Sequence, residues 1–140
     1  MKTMMFMLTM AIALCSSYAH KLNEDKVPEE VKTALQKRYP EAEEVKWDKE
    51  DNDYEASFEL DDTDFSVLLD SQGGILETEE KIEINQLPAP VVAHVNSNYP
   101  KTKIKEAARI VDSNGTITYE AETKGKDLIF DEKGNLINEL

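Results

Sequence analysis

The feature that most constrains this chain is that its pattern is written twice. Val27-Pro28 followed by Val31, Leu35 and Tyr39-Pro40 returns as Leu87-Pro88 followed by Val91, Val95 and Tyr99-Pro100, at an offset of 60 residues. Tyr54-Glu55-Ala56 returns as Tyr119-Glu120-Ala121 at an offset of 65, and Asp70-Ser71-Gln72-Gly73 as Asp131-Glu132-Lys133-Gly134 at 61. A changing offset places the length differences in loops, where insertions are tolerated. The chain therefore divides into one unit at residues 27–80 and a second at 87–140, with a linker at 81–86 and a short N-terminal segment at 20–26. At 140 residues, the two units are expected to share one compact domain.

Each unit reads as a helix followed by strands. Val31, Leu35 and Tyr39 form one stripe of an amphipathic helix that starts near Pro28 and stops before Pro40. Val91 or Val92, Val95 and Tyr99 do the same before Pro100. Tyr54, Ala56, Phe58 and Leu60 then alternate with Glu55, Ser57 and Glu59, while Ile117, Tyr119 and Ala121 alternate with Thr118, Glu120 and Glu122. That period of two predicts half-buried antiparallel strands. Further strands are expected at Phe65 to Leu69 and Leu128 to Phe130, with turns at Gln72-Gly73-Gly74 and Lys133-Gly134-Asn135. The predicted class is α+β, a tandem duplication of one helix plus a three-to-four-stranded antiparallel meander.

Residues 1–19 read as a secretory signal peptide. Lys2 supplies a basic start, Met4 to Leu14 an apolar run, and Ser17-Tyr18-Ala19 a small-x-small cleavage pattern. The run is too short for a transmembrane anchor, which needs about 20 apolar residues. Cys15 offers a lipoprotein alternative, but Leu14 stands where a small residue normally precedes the lipidated cysteine. Cleavage after Ala19 would leave 15 basic and 29 acidic residues, a net charge of −14, and no cysteine. Disulfide scaffolds, thiol catalysis and cysteine-based zinc sites are thereby excluded from the mature chain.

The duplicated helix ending in Tyr-Pro, the Tyr-Glu-Ala strand and the Asp-x-x-Gly hairpin followed by an apolar pair, all behind a signal peptide, resemble the PepSY-like family of exported bacterial proteins. That family is described as β-lactamase-inhibitor-protein-like. The resemblance covers residues 27–140. It implies one antiparallel sheet with the helices on one face, a periplasmic location, and an inhibitor-like protein-binding role carried over from structural analogy.

Enzymatic chemistry finds no support in the inventory. The histidines are His20, at the expected new N-terminus, and His94, whose counterpart in the first repeat is Ala34. No glycine-rich phosphate loop or nucleophile elbow is present, so no catalytic residue is assigned. A formal net charge of −13 argues against nucleic acid and anionic membrane surfaces as partners, and no membrane insertion is expected after signal cleavage.

The acid is unevenly placed: the first unit has five basic and 18 acidic residues, the second seven and eight. Asp48, Glu50, Asp51 and Asp53 are expected at one turn of the first unit, and Asp61, Asp62 and Asp64 at the next hairpin. Carboxylates crowded on loops suit Ca²⁺, which takes six to eight oxygen ligands. An EF-hand is rejected, because Asp53 stands where that loop needs glycine and the flanks are strands. These seven residues are the candidate calcium ligands, and a calcium-regulated protein is the second functional reading.

The first reading is protein binding through the open sheet face. If Val67 and Leu69 point to the core, Leu68 points away from it, and its counterpart Ile129 does likewise. An uncovered apolar strip rimmed by Glu55, Ser57, Glu59, Thr118, Glu120 and Glu122 would suit an envelope or secreted protein partner. Trp47, the only tryptophan, is a candidate hot-spot residue or a core anchor.

Overall fold

A computed structural model describes residues 20–140. The predicted signal segment and Cys15 lie outside the described residues. From the N-terminus the elements are β1 (His20–Leu22), a 3₁₀ turn (Glu24–Lys26), α1 (Glu29–Arg38), β2 (Glu43–Glu50), β3 (Asp53–Leu60), β4 (Thr63–Leu69) and β5 (Ile75–Ile82). A second 3₁₀ turn (Ile84–Gln86), α2 (Ala89–Asn98), β6 (Glu106–Asp112), β7 (Ile117–Thr123), β8 (Lys126–Asp131) and β9 (Leu136–Glu139) complete the chain. The strands form a single sheet in sequence order, β1 to β9, every neighbouring pair antiparallel. Two meanders have thus merged into one sheet, joined edge to edge where β5 pairs with β6.

The helices form where the apolar stripes predict. Glu29 and Glu30 open α1 and Lys37 and Arg38 close it, matching the helix dipole at both ends. Val31 and Leu35 are buried, as are Val91 and Val95 of α2. Each helix ends as the Tyr39 or Tyr99 N–H bonds back to the carbonyl of Leu35 or Val95, and the following proline prevents another turn.

Register places both helices on one side of the sheet. Val67 of the first core faces Thr78 across β4 and β5, and Ala107 of the second core faces Ile82 across β5 and β6. Thr78 and Ile82 have the same parity on β5, so the two cores share a face. The first core joins Val27, Val31 and Leu35 to Trp47, Ala56, Phe58, Val67 and Leu69. The second joins Leu87, Val91 and Val95 to Ala107, Ala121, Leu128 and Phe130.

The Asp-x-x-Gly hairpins lock against these helices. Asp70 accepts N–H bonds from Gln72 and Gly74, and Asp131 accepts them from Lys133 and Asn135. Gly73 and Gly134 have φ of 86° and 81°. A β-carbon would stand 2.7 Å from the Glu30 oxygen at the first and 2.5 Å from the Pro90 β-carbon at the second. Glycine is required twice, both for its backbone angle and for its lack of volume.

The segment between the units is built into the fold. Lys81 and Ile82 finish β5, and Glu83 and Gln86 cap the second 3₁₀ turn reciprocally. The same strand-then-turn arrangement opens the first unit as β1 and Glu24–Lys26. The offset difference is also explained. Trp47 and Ala107 hold equivalent places at an offset of 60, the longer β6–β7 hairpin of the second unit raises it to 65 at Ala56 and Ala121, and the longer β3–β4 hairpin of the first unit brings it back to 61 at Phe65 and Lys126.

Candidate functional site

The face opposite the helices is defined by cross-strand pairing. Glu55 faces Leu68, which faces Glu77. In the next row Ser57 faces Ser66, then Glu79, Ile110, Thr118 and Asp131. In the row beyond, Lys81 faces Ala108, then Glu120, Ile129 and Asn138. Glu55, Ser57, Glu59, Leu68, Thr118, Glu120 and Ile129, the sequence candidates for partner binding, do share this face.

Two corrections apply to that set. Trp47 is not on it: it faces Ala56, is 5% exposed and belongs to the first core, because the alternation of β2 turns Lys46 and Asp48 to the open face instead. Leu68 and Ile129 point away from the helices as predicted but are buried, not an uncovered strip. Each is flanked on both sides by cross-strand neighbours, Leu68 by Glu55 and Glu77, Ile129 by Glu120 and Asn138.

The calcium candidates are dispersed. Asp48 and Glu50 lie within β2, Asp53 within β3 and Asp64 within β4; only Asp51, Asp61 and Asp62 are in turns. These three turn aspartates have φ near 50 to 60°, the left-handed conformation that tight hairpins impose. Turns of two residues leave the other carboxylates to strands, whose alternation spreads them apart. Among the described residues no group of three or more histidines, cysteines or carboxylates is arranged to hold a metal ion. Glu59, Asp61 and Asp62 instead line a shallow acidic cleft with Glu41 and Glu43.

The main feature of the open face is a set of buried glutamates: Glu55 and Glu120, expected from the sequence as part of a rim, are buried in the middle of the face, and sequence reasoning missed Glu77 and Glu79. Glu55, Glu79 and Glu120 are 5%, 2% and 5% exposed, and Glu77 is half-buried. Burial pushes the Glu55 carboxyl up to about 7, opposed by a 2.5 Å hydrogen bond that the Ser66 hydroxyl donates to it. Burial and then the charge of Asp112 push Glu77 up to about 7. Glu120 rises to about 8 through burial and the neighbouring Asp127. Glu79 rises well above the ordinary carboxyl range, first through burial and then through Glu120, Glu77 and Glu55.

As carboxylates, neither oxygen of Glu79 has a hydrogen-bond donor among the described residues, and neither has Glu77 Oε1. Glu79 and Glu120 do approach closely enough to share a hydrogen bond when one of them is protonated. Chemically, this is a face that holds protons or takes up cationic donors. The signal was present in Glu77-Thr78-Glu79, where acids recur at the strand period on β5. It was hidden because that segment also reads as the solvated end of a repeat.

His94 is engaged elsewhere, its ring edge-on to Phe130 with 5.2 Å between centroids. No helix among the described residues is long and apolar enough to cross a membrane.

Comparison with known proteins agrees with this architecture. The family described as "Putative beta-lactamase-inhibitor-like, PepSY-like" matches twice, at residues 14–77 and 70–138, once per repeat. A solved structure of a BLIP-like protein from Bacteroides fragilis NCTC 9343 is 30% identical, with TM-score 0.63 over 81% of this chain and 85% of that one. A protein from Bacteroides eggerthii DSM 20697, titled among "putative periplasmic proteins", has TM-score 0.75 at 16% identity over 81% of this chain and 88% of that one. A DUF2874 family protein from Bacteroides uniformis ATCC 8492 has TM-score 0.72 at 20% identity, with the same coverage. The last two, at such identities, speak to fold alone. No curated protein matches. With both repeats matched and a relative at 30% identity across most of its length, the chain belongs to the PepSY-like, β-lactamase-inhibitor-like family.

Proposed function

We propose that this chain is an exported, non-enzymatic module that binds a protein of the cell envelope through the sheet face opposite its helices. The observation that carries this reading is the mixed character of that face. Leu68, Ala108, Ile110 and Ile129 stand among Glu55, Glu77, Glu79 and Glu120 on the central strands, while both helices occupy the other side. The apolar members of these rows are covered by their neighbours, and half-buried Ser57 and Thr118 are the members that offer a partner contacts. The apolar run Met4 to Leu14 supports export. The BLIP-like relative supports the architecture of an inhibitor, which leaves the target open.

The test is capture from an envelope extract by the chain without residues 1–19, beside a Ser57→Lys, Thr118→Lys variant. Neither side chain belongs to a core cluster, so the fold should survive. A partner retained by the parent and lost by the variant supports the reading. Equal capture by both, or capture by neither, counts against it.

A further inference from the structure

Glu79 is the least explained residue of the molecule. Among the described residues it lies on β5, the middle of nine strands, is 2% exposed, and has no donor for either carboxylate oxygen. Burying such a group opposes folding. The repeat does not carry an acid there: the counterpart 61 residues on is Leu140, which lies just past β9 and is exposed. The groups bearing on Glu79 are Glu120, Glu77 and Glu55, and those bearing on Glu120 include Asp127 and Glu122. Of the donors on this face, the Ser66 hydroxyl bonds Glu55, and the Lys81 ammonium, two residues along β5, pairs with Glu106 at 3.6 Å. Asp112, on β6, turns its carboxylate to the N–H groups of Asn114 and Thr116.

We propose that this cluster receives the guanidinium of an arginine from the protein partner, its N–H groups donating to Glu79 and Glu120 above Ala108 and Ile110. The proposal rests on the open face being the binding face and names the chemistry that face selects. A guanidinium carries several N–H donors in one rigid plane, so it can satisfy carboxyls projecting from different strands. It is weakly hydrated and tolerates the apolar floor made by Ala108, Ile110, Leu68 and Ile129. A lysine ammonium is more strongly hydrated and offers a point charge. A metal ion would need several carboxylates converging, and among the described residues no three do. On binding, the proton held between Glu79 and Glu120 leaves for solvent and the guanidinium charge replaces it.

The experiment titrates the chain lacking residues 1–19 with N-acetyl-arginine methylamide at mildly alkaline pH. Side-chain carboxyl ¹³C NMR signals are followed, with the citrulline and lysine analogues as controls. The arginine compound should saturate and shift the Glu79 and Glu120 signals; citrulline should not, and lysine should bind more weakly. Glu79→Gln should weaken arginine binding at least about tenfold and at the same time raise Tm. No saturable arginine shift, equal binding of citrulline, displacement of arginine by Ca²⁺ at both carboxyls, or a lower Tm for Glu79→Gln would each overturn the proposal. If the arginine compound fails while Ser57→Lys, Thr118→Lys still abolishes capture, the face binds a protein by other means. If both fail, the reading of the face fails with it.

Discussion

The two repeats place the same tyrosine in the same position and surround it with opposite chemistry. Tyr39 packs on Phe58 and Phe65 at 5.0 and 6.0 Å, and those two rings stack at 5.7 Å. At the equivalent sites of the second repeat stand Thr123 and Lys126, and the Tyr99 hydroxyl donates to Glu139, which also pairs with Lys126. The buried glutamates differ in a parallel way. Glu55 has the Ser66 hydroxyl, whereas at the corresponding position Glu120 has Asp127. The first repeat carries nearly all of the net charge and gives Glu55 a donor, while its second buried acid, Glu79, has none among the described residues. The second is nearly neutral and leaves its buried acid under like-charge pressure. Total charge and local electrostatic stress are therefore separate properties.

That contrast predicts unequal contributions to stability. Phe58→Ala should cost about 3–5 kcal/mol, as expected for removing a large buried aromatic ring. Thr123→Ala at the equivalent site should cost only about 1 kcal/mol, the worth of the hydrogen bond its hydroxyl donates to the Lys126 carbonyl. Urea unfolding of both variants measures the difference, and similar losses would mean the aromatic cluster carries no special share.

The next effect concerns the donor. Ser66→Ala leaves Glu55 buried without its hydroxyl and should cost about 1–3 kcal/mol at alkaline pH, less in acid where the carboxyl is neutral. Asp127→Asn should act oppositely at Glu120, lowering its titration towards the ordinary carboxyl range, as carboxyl NMR would report. An unchanged Glu120 would show that burial alone sets its affinity for protons.

A pH profile reads these glutamates together. Their pKa values in the folded chain lie above the ordinary 4.5, so the native state binds more protons than the unfolded chain over that interval. Their contribution is complete below about 4.5 and is lost as pH rises through about 7 to 8. Tm should therefore fall by the order of a few degrees between mildly acidic and mildly alkaline buffer, and Glu79→Gln should flatten the fall. A Tm that rises across this interval would remove the buried acids from the account.

The smallest effect concerns the acidic turns of the first repeat. With their carboxylates dispersed, millimolar Ca²⁺ against chelator should leave Tm unchanged. An upward shift that Asp61→Asn, Asp62→Asn abolishes would instead assign a cation site to that hairpin.

Much of the fold was legible because the repeat supplied each signal twice. The Val31 and Val91 stripes, the Tyr-Pro helix stops and the Asp-x-x-Gly hairpins are local devices, and each works within a few residues of itself. The outward phase of Leu68 and Ile129 was legible too, since alternation fixes side. Their burial was not, because it depends on the neighbours that β3, β5, β7 and β9 bring alongside. Trp47 was ambiguous for a similar reason: the bulge in β2 between Glu43 and Lys46 resets phase, so its side follows from pairing with Ala56.

By itself the sequence determined a duplicated helix and meander, the breaks between its elements and the imbalance of charge. These depend on periodicity, proline and composition, which act locally. Only the tertiary structure decided that β5 and β6 join the repeats into one sheet, and so only it placed Glu79 of one repeat against Glu120 of the other. Those residues are far apart along the chain, and no local pattern encodes a contact made across a strand that separates them in space.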